Sequence, residues 1–269
     1  GKQAILFQNR RGYSNYFLCH TCGYILKCNR CDVSLTYHKS NNEMSCHYCG
    51  YKTHVPYTCP ECQSNSVQMK GFGTEKIEDE IGVLFPEIKT GRLDLDKSRS
   101  RKAFEKVISD FETGKVQVLI GTQMVTKGLD FEIVQLVGII DADGMLNFPD
   151  FRAFERSYQL MVQVSGRAGR RKERGRVIIQ TIDPSHPVIR HVLKGDFDTF
   201  INEQLSERSL FKYPPFVRLI RLTLRHEIPS ILEAGSVSLK NELKEVFGGR
   251  VLGPQPPPVA KTHGKHIRQ

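Results

Sequence analysis

The chain has 269 residues, 39% of them hydrophobic, enough for one large domain or two small ones, and no apolar run long enough to cross a bilayer, so no membrane partner is expected. A formal charge of +10 fits a polyanionic partner such as nucleic acid, and fits a solvated basic enzyme surface equally well. All eight cysteines fall between Cys19 and Cys62 as Cys-x-x-Cys pairs, a spacing that favours metal clamps in a reducing compartment over a secreted disulfide framework.

In chain order, residues 4–7 predict a short buried strand, followed by the polar run 8–13. The opening at Gly1, with no methionine and no export signal, fits a piece of a longer cytoplasmic protein. Residues 17–70, which carry the cysteines, are rich in turn formers and are expected to be an insertion. Beyond Gly71 helices and strands alternate. Phe104, Val107, Ile108 and Phe111 share one helical face, with Gly114 placed as a C-cap. Residues 116–120 predict a strand running into Gly121-Thr122-Gln123, and residues 133–140 predict another ending at Asp141. A helix from Ala153 gathers Phe154, Ser157, Tyr158, Met161 and Val162 on one side and stops at Gly166; residues 176–182 predict a further strand. This alternation predicts an α/β fold, a parallel sheet with helices on both faces, built from residues 1–16 and 71–205. At Tyr213-Pro214-Pro215 the composition shifts. A strand over 217–223, a helix over 229–247 and a break at 254–258 predict a small α+β domain, residues 206–269, cut short at Gln269. Phe154 belongs to the helix core face, whereas Phe148 and Phe151 fit either core packing or base stacking.

The four cysteine pairs supply eight thiolates, enough for two tetrahedral zinc sites with no open position for catalysis. Residues 31–46 leave room for a hairpin, so Cys28 and Cys31 are expected to join Cys46 and Cys49. The short 22–28 interval strains a sequential arrangement less favourably than a nested one, in which Cys19 and Cys22 join Cys59 and Cys62. His20, His38, His47 and His54 are read as loop histidines rather than ligands, and four regular knuckles suit zinc better than an iron–sulfur cluster. Such a module either docks nucleic acid or a partner protein, or folds a segment too small for its own core.

The segment Gln163-Val164-Ser165-Gly166-Arg167-Ala168-Gly169-Arg170 carries two guanidinium groups three residues apart among small residues. Guanidinium forks onto phosphate oxygens and can stabilise charge on a transferring γ-phosphoryl group. Gly121-Thr122-Gln123-Met124 follows a strand end, and Lys127-Gly128-Leu129-Asp130-Phe131 comes soon after; glycine there lets backbone approach phosphate or sugar, and Asp130 can accept from a ribose hydroxyl.

Together these residues resemble a known family. Residues 163–170 look like motif VI of superfamily 2 helicases and residues 119–131 like their motif V. Phe7-Gln8-Asn9-Arg10-Arg11-Gly12-Tyr13 before eight paired cysteines, Gly73-Thr74-Glu75, and Asp141-Ala142-Asp143 resemble the PriA family of primosomal replication-restart helicases. The resemblance implies a RecA-like second helicase lobe with an inserted two-zinc module, belonging to an ATP-dependent 3′→5′ DNA helicase that recognises abandoned forks and starts primosome assembly. It implies two structural Zn²⁺ ions, with ATP and Mg²⁺ in the full-length enzyme. Gln163, Arg167 and Arg170 would face ATP, and Gly128 and Asp130 would contact nucleotide. Arg10, Arg11, Thr122 and Lys127 would lie along the DNA. The implied partners are forked DNA and single-strand/duplex junctions, single-stranded DNA-binding protein and primosome proteins, in the bacterial cytoplasm at the nucleoid.

The chain departs from the full family pattern in having neither a Gly-x-x-x-x-Gly-Lys-Ser/Thr loop nor an Asp-Glu-x-His element, so it is expected to fold and bind zinc without hydrolysing ATP by itself. Asp141 and Asp143 are expected to cap a strand end. A zinc-ribbon nucleic-acid-binding protein and a thiol redox protein would carry cysteine pairs of the same kind; the α/β block disfavours the first and bound zinc would discard the second.

Overall fold

Apolar residues on both sides of residues 3–8 make this strand a sheet centre: Ile5 and Phe7 enter one core, Ala4 and Leu6 another. In the computed structural model, which describes residues 2–9, 16–71, 73–94, 101–125, 134–169 and 175–269, this strand is β1 (Gln3–Gln8). The cysteine region contributes β2 (Tyr16–Cys19), β3 (Thr36–His38), β4 (Glu43–Ser45), β5 (Lys52–His54) and β6 (Val67–Lys70). Then come α1 (Thr74–Leu84), β7 (Thr90–Leu93), α2 (Arg101–Glu112), β8 (Val118–Gly121), β9 (Val134–Ile140), the short α3 (Asp143–Leu146), α4 (Ala153–Ser165) and β10 (Arg176–Ile179). The last elements are α5 (Pro187–Lys194), α6 (Phe197–Leu210), β11 (Leu224–His226), α7 (Pro229–Phe247), β12 (Lys261–Thr262) and β13 (Lys265–Arg268). No helix among the described residues is long and apolar enough to cross a membrane.

The chain divides into two compact units, residues 1–13 with 72–218, and residues 14–71 with 219–269. The first is the expected α/β fold, a five-stranded all-parallel sheet in the order β10-β9-β1-β8-β7. Helix α1 sets Ile77 against Val118 and Ile120 on one face. Helices α2 and α4 bring Ile108, Phe111, Tyr158 and Met161 to Ile5, Phe7 and Leu119 on the other. The expected boundary at 205/206 falls inside α6, which belongs wholly to the first unit. Of the two aspartates expected to cap a strand end, Asp143 holds the chain just beyond β10, whereas Asp141 closes the first turn of α3. Asp141 accepts from the Gly144 N–H at 3.1 Å, and Asp143 accepts from Thr181 Oγ1 at 3.0 Å and the Ile182 N–H at 2.9 Å.

In the second unit, β2 and β6 pair antiparallel and β3, β4 and β5 form a meander around Phe17, Leu35 and Met44. The C-terminal part is a three-stranded antiparallel sheet, β11-β13-β12, under α7, with Ile267 and Leu232 buried. Residues 217–223, expected to be a strand, form none. Pairing begins only at Leu224, because β13 offers its partners Arg268, Ile267 and His266 to residues 224–226 alone. Of the two phenylalanines left open between core packing and base stacking, Phe148 is 59% exposed and Phe151 stacks on Tyr213 at 4.8 Å, while Phe154 packs on the core as expected.

The first turn of α4 is clamped to α6 through Glu155, which pairs with Arg152 at 3.0 Å and with the half-buried Arg208. The Arg152 hydrogen bond outweighs burial and, with Arg208, holds the Glu155 carboxyl below its usual value. A lowered folded-state pKa stabilises above the unfolded value of about 4.3, and that contribution disappears as pH falls through the lowered value. Glu155→Gln is therefore expected to cost about 1–2 kcal/mol in urea unfolding at neutral pH, a deficit that closes at strongly acid pH. A deficit unchanged across that range would contradict the clamp.

Candidate functional site

Two four-thiol clusters form in the second unit, Cys19/Cys22/Cys59/Cys62 and Cys28/Cys31/Cys46/Cys49, the nested arrangement read from the spacing. The first cysteines of the Cys19 and Cys46 knuckles end or follow a strand, and the Cys19, Cys46 and Cys59 knuckles are tight turns. Cys19 ends β2, and the Cys46 and Cys59 amides donate to the carbonyls of Tyr51 and Ser64. Within each cluster all four sulfurs lie within 4.8 Å of one another, with Cys19–Cys62, Cys22–Cys59 and Cys28–Cys49 at 3.6 Å. A disulfide needs about 2.05 Å. A tetrahedron with Zn–S of about 2.3 Å needs sulfurs about 3.8 Å apart, which these sites match. The donor set is all sulfur. His20 instead meets Gln68 Oε1 at 2.8 Å and His38 meets the His47 ring at 5.1 Å, so among the described residues the ligand clusters contain no histidine.

The sulfurs of each cluster crowd one another. Burial opposes the thiolate of Cys19, but amides of Cys22 and Thr21 and the neighbouring thiols draw it down to about 6. At Cys49 the Tyr51 amide and its thiol neighbours likewise overcome burial, giving about 7. The Tyr24 amide favours a thiolate at Cys22, yet burial and the three other thiols push it up to about 12. One easily ionised thiol beside reluctant ones is the condition that a divalent cation relieves.

In the first unit, Gln163 is exposed on the last turn of α4 and Arg167 is half-buried just beyond Gly166, whose amide closes the helix on Val162 O. Gly169, at φ +71, donates to Val134 O, which fixes this turn at the amino edge of β9. A Cβ on Gly175 would lie 2.6 Å from Ala168 C and Gly169 N, so only glycine lets the return strand pass the turn. Thr122 sits at the opposite, carboxyl edge, after β8, buried and donating to Leu93 O at 3.2 Å. The structure thus separates Gln163 and Arg167 from Thr122. Arg10, Arg11, Lys127, Gly128, Asp130 and Arg170 lie outside the described residues.

Residues 28–53 match the model of the PriA DNA helicase Cys-rich region, and residues 64–172 match the helicase conserved C-terminal domain. A replication restart protein PriA of Bacillus subtilis is 41% identical over 271 residues, covering 100% of this chain and 34% of its own. Those of Treponema pallidum and Synechocystis are 43% and 41% identical, covering 100% and 97% of this chain. The chain belongs to the PriA helicase family. It spans 34%, 41% and 32% of the length of these three relatives. The PriA Cys-rich match encloses Cys28, Cys31, Cys46 and Cys49, and the other four thiols flank it.

Two groups were not read from the PriA-like sequence. Arg92 is buried with Glu75 at 3.5 Å, Glu78 at 3.4 Å and Asp94 at 3.1 Å, the last not aligned for a hydrogen bond, and Thr74 donates to Asp94 at 2.7 Å. This gives Gly73-Thr74-Glu75 a structural role, docking α1 on β7. Arg92 in a strand looks like a surface position until its three carboxylates are seen. The other is the contact of residues 261–264 with the Cys28 knuckle, which only the fold brings together.

Metal analysis of the purified chain is expected to give two zinc ions, and Cys46→Ser one. Chelation should accelerate amide exchange throughout β2 to β6 while leaving β1, β8 and β9 protected. Full protection of β2 to β6 without metal would contradict a structural role.

Proposed function

We propose that the chain is the second motor lobe and zinc module of an ATP-dependent 3′→5′ DNA helicase that restarts stalled replication forks by initiating primosome assembly. The observation that carries this reading is the helicase C-terminal-domain match over residues 64–172, which runs through β7, β8 and β9 to the Gln163–Arg167 turn. In this reading Gln163, Arg167 and Arg170 face ATP held by a partner lobe, and Gly128 and Asp130 couple nucleotide to the track. Arg10, Arg11, Thr122 and Lys127 meet the DNA backbone. The two-edge arrangement suits such coupling, since Thr122 stands at one edge of the sheet and Arg167 at the other. In this reading the lobes would close on bound ATP and reopen after its hydrolysis, with Mg²⁺ neutralising the phosphates.

Arg167 comes after the helix terminus, and its amide's bond to Val164 O and the Gly169 contact fix the backbone from which its side chain extends, which supports this reading. The eight cysteines would hold two Zn²⁺ as structural cross-links with no open position for catalysis. The partners proposed are forked DNA, single-stranded DNA-binding protein and primosome proteins, and the compartment is the bacterial cytoplasm at the nucleoid.

The test is DNA-stimulated ATPase of the full-length protein. Arg167→Ala and Arg170→Ala are each expected to lower kcat by roughly 10³-fold with zinc content unchanged. The chain alone should show no rate above buffer. Near-normal hydrolysis by both variants would remove the arginine assignment.

A further inference from the structure

Three of the four cysteine knuckles close in the same way. The first cysteine donates its amide to the carbonyl five residues on: Cys19 to Tyr24, Cys46 to Tyr51 and Cys59 to Ser64, at 2.8–2.9 Å. The amide four residues on returns to the carbonyl of that first cysteine, from Gly23, Gly50 and Gln63, each at 2.9 Å. Those three residues have φ of +75, +73 and +58, the left-handed conformation that such a return requires. The second cysteine of each of these pairs receives the amide two residues on, from Tyr24, Tyr51 and Ser64.

The Cys28–Cys31 knuckle keeps only the first of these bonds, Cys28 N–H to Val33 O at 2.9 Å. At the position of Gly23, Gly50 and Gln63 stands Asp32, which is not in the positive-φ region, and its amide donates away from the knuckle to Lys261 O at 2.8 Å. Cys31 Sγ takes its amide from His263, at 3.3 Å and 232 residues away. Gly264 adds a third bond, N–H to Arg30 O at 2.7 Å. These donors come from the tip of the β12–β13 hairpin, where His263 and Gly264 have φ of +52 and +82. Two consecutive positive φ values make a two-residue type I′ turn, whose twist matches the strands it joins.

We infer that the His263–Gly264 turn is the missing half of the Cys28–Cys31 knuckle, an outer shell of the metal site at Cys28, Cys31, Cys46 and Cys49. Amide donors on metal-bound sulfur spread the thiolate charge and fix the ligand's direction, and losing such a partner typically costs about 10- to 100-fold in metal affinity. The site therefore holds its metal fully only when the C-terminal hairpin is docked, and the hairpin docks fully only when the metal is present. The site at Cys19, Cys22, Cys59 and Cys62 has two self-closed knuckles and lacks this dependence.

Cadmium-113 placed in both sites of the intact chain gives the test. Through-hydrogen-bond correlation between amide protons and cadmium is expected to link His263 to the same cadmium resonance as Tyr51. Gly264→Val, which puts a β-branched side chain at φ +82, should abolish that link and speed cadmium exchange at this site roughly 10-fold or more, leaving the other site's rate unchanged. A missing His263 correlation in a spectrum that shows the Tyr51 one would overturn the inference. So would wild-type exchange at both sites in Gly264→Val. Should that variant fail to fold, the wild-type spectrum alone decides.

Discussion

Eight thiols brought into two groups of four set the terms for the second unit. Sulfurs 3.6 Å apart cannot share a covalent bond and do not readily ionise together. A dication at the centre of each group would turn that conflict into a cross-link. The apolar content is modest by comparison. Phe17, Leu35 and Met44 are fully buried, but much of the rest of that cluster is the cysteines themselves. Three-residue strands such as β3, β4 and β5 do not hold a meander by hydrogen bonding alone. Bound metals would supply the constraint that a larger core supplies elsewhere.

The first unit obeys a different constraint. Its strands are parallel, so every connection must cross from the carboxyl edge of the sheet to the amino edge. Helix α4 makes one such crossing and delivers Gln163 and Arg167 to the amino edge of β9, where the Gly169 amide and the bare face of Gly175 fix the turn. At its other end the same helix is held by Glu155 to Arg152 and Arg208. The backbone that carries Gln163 and Arg167 is thus fixed at both ends of the helix.

Much of this was legible in the residues. The nested thiol pairing followed from intervals of chain too short or long enough for a hairpin, and both clusters formed as read. The parallel sheet followed from alternating apolar runs, since a strand buried on both faces has few other ways to look. The remainder lay in long-range partners. Residues 217–223 alternate like a strand, but β13 pairs only with 224–226. Strand β7 reads Thr-Gly-Arg-Leu and hides a buried Arg92 whose charge is met by residues of α1 and Asp94. Phe148 has an apolar side chain and an exposed position. The irregular knuckle at Cys28 carries a faint sequence mark: Asp32 stands where Gly23 and Gly50 serve the Cys19 and Cys46 knuckles.

The thiol constraint is tested most directly by X-ray absorption at the zinc edge of the purified chain. The structure predicts one shell of four sulfurs at about 2.3 Å around each zinc, with no lighter scatterer in it. A shell containing nitrogen or oxygen would contradict that assignment of all eight cysteines, as would a chain that holds no zinc and shows sulfur bonded to sulfur.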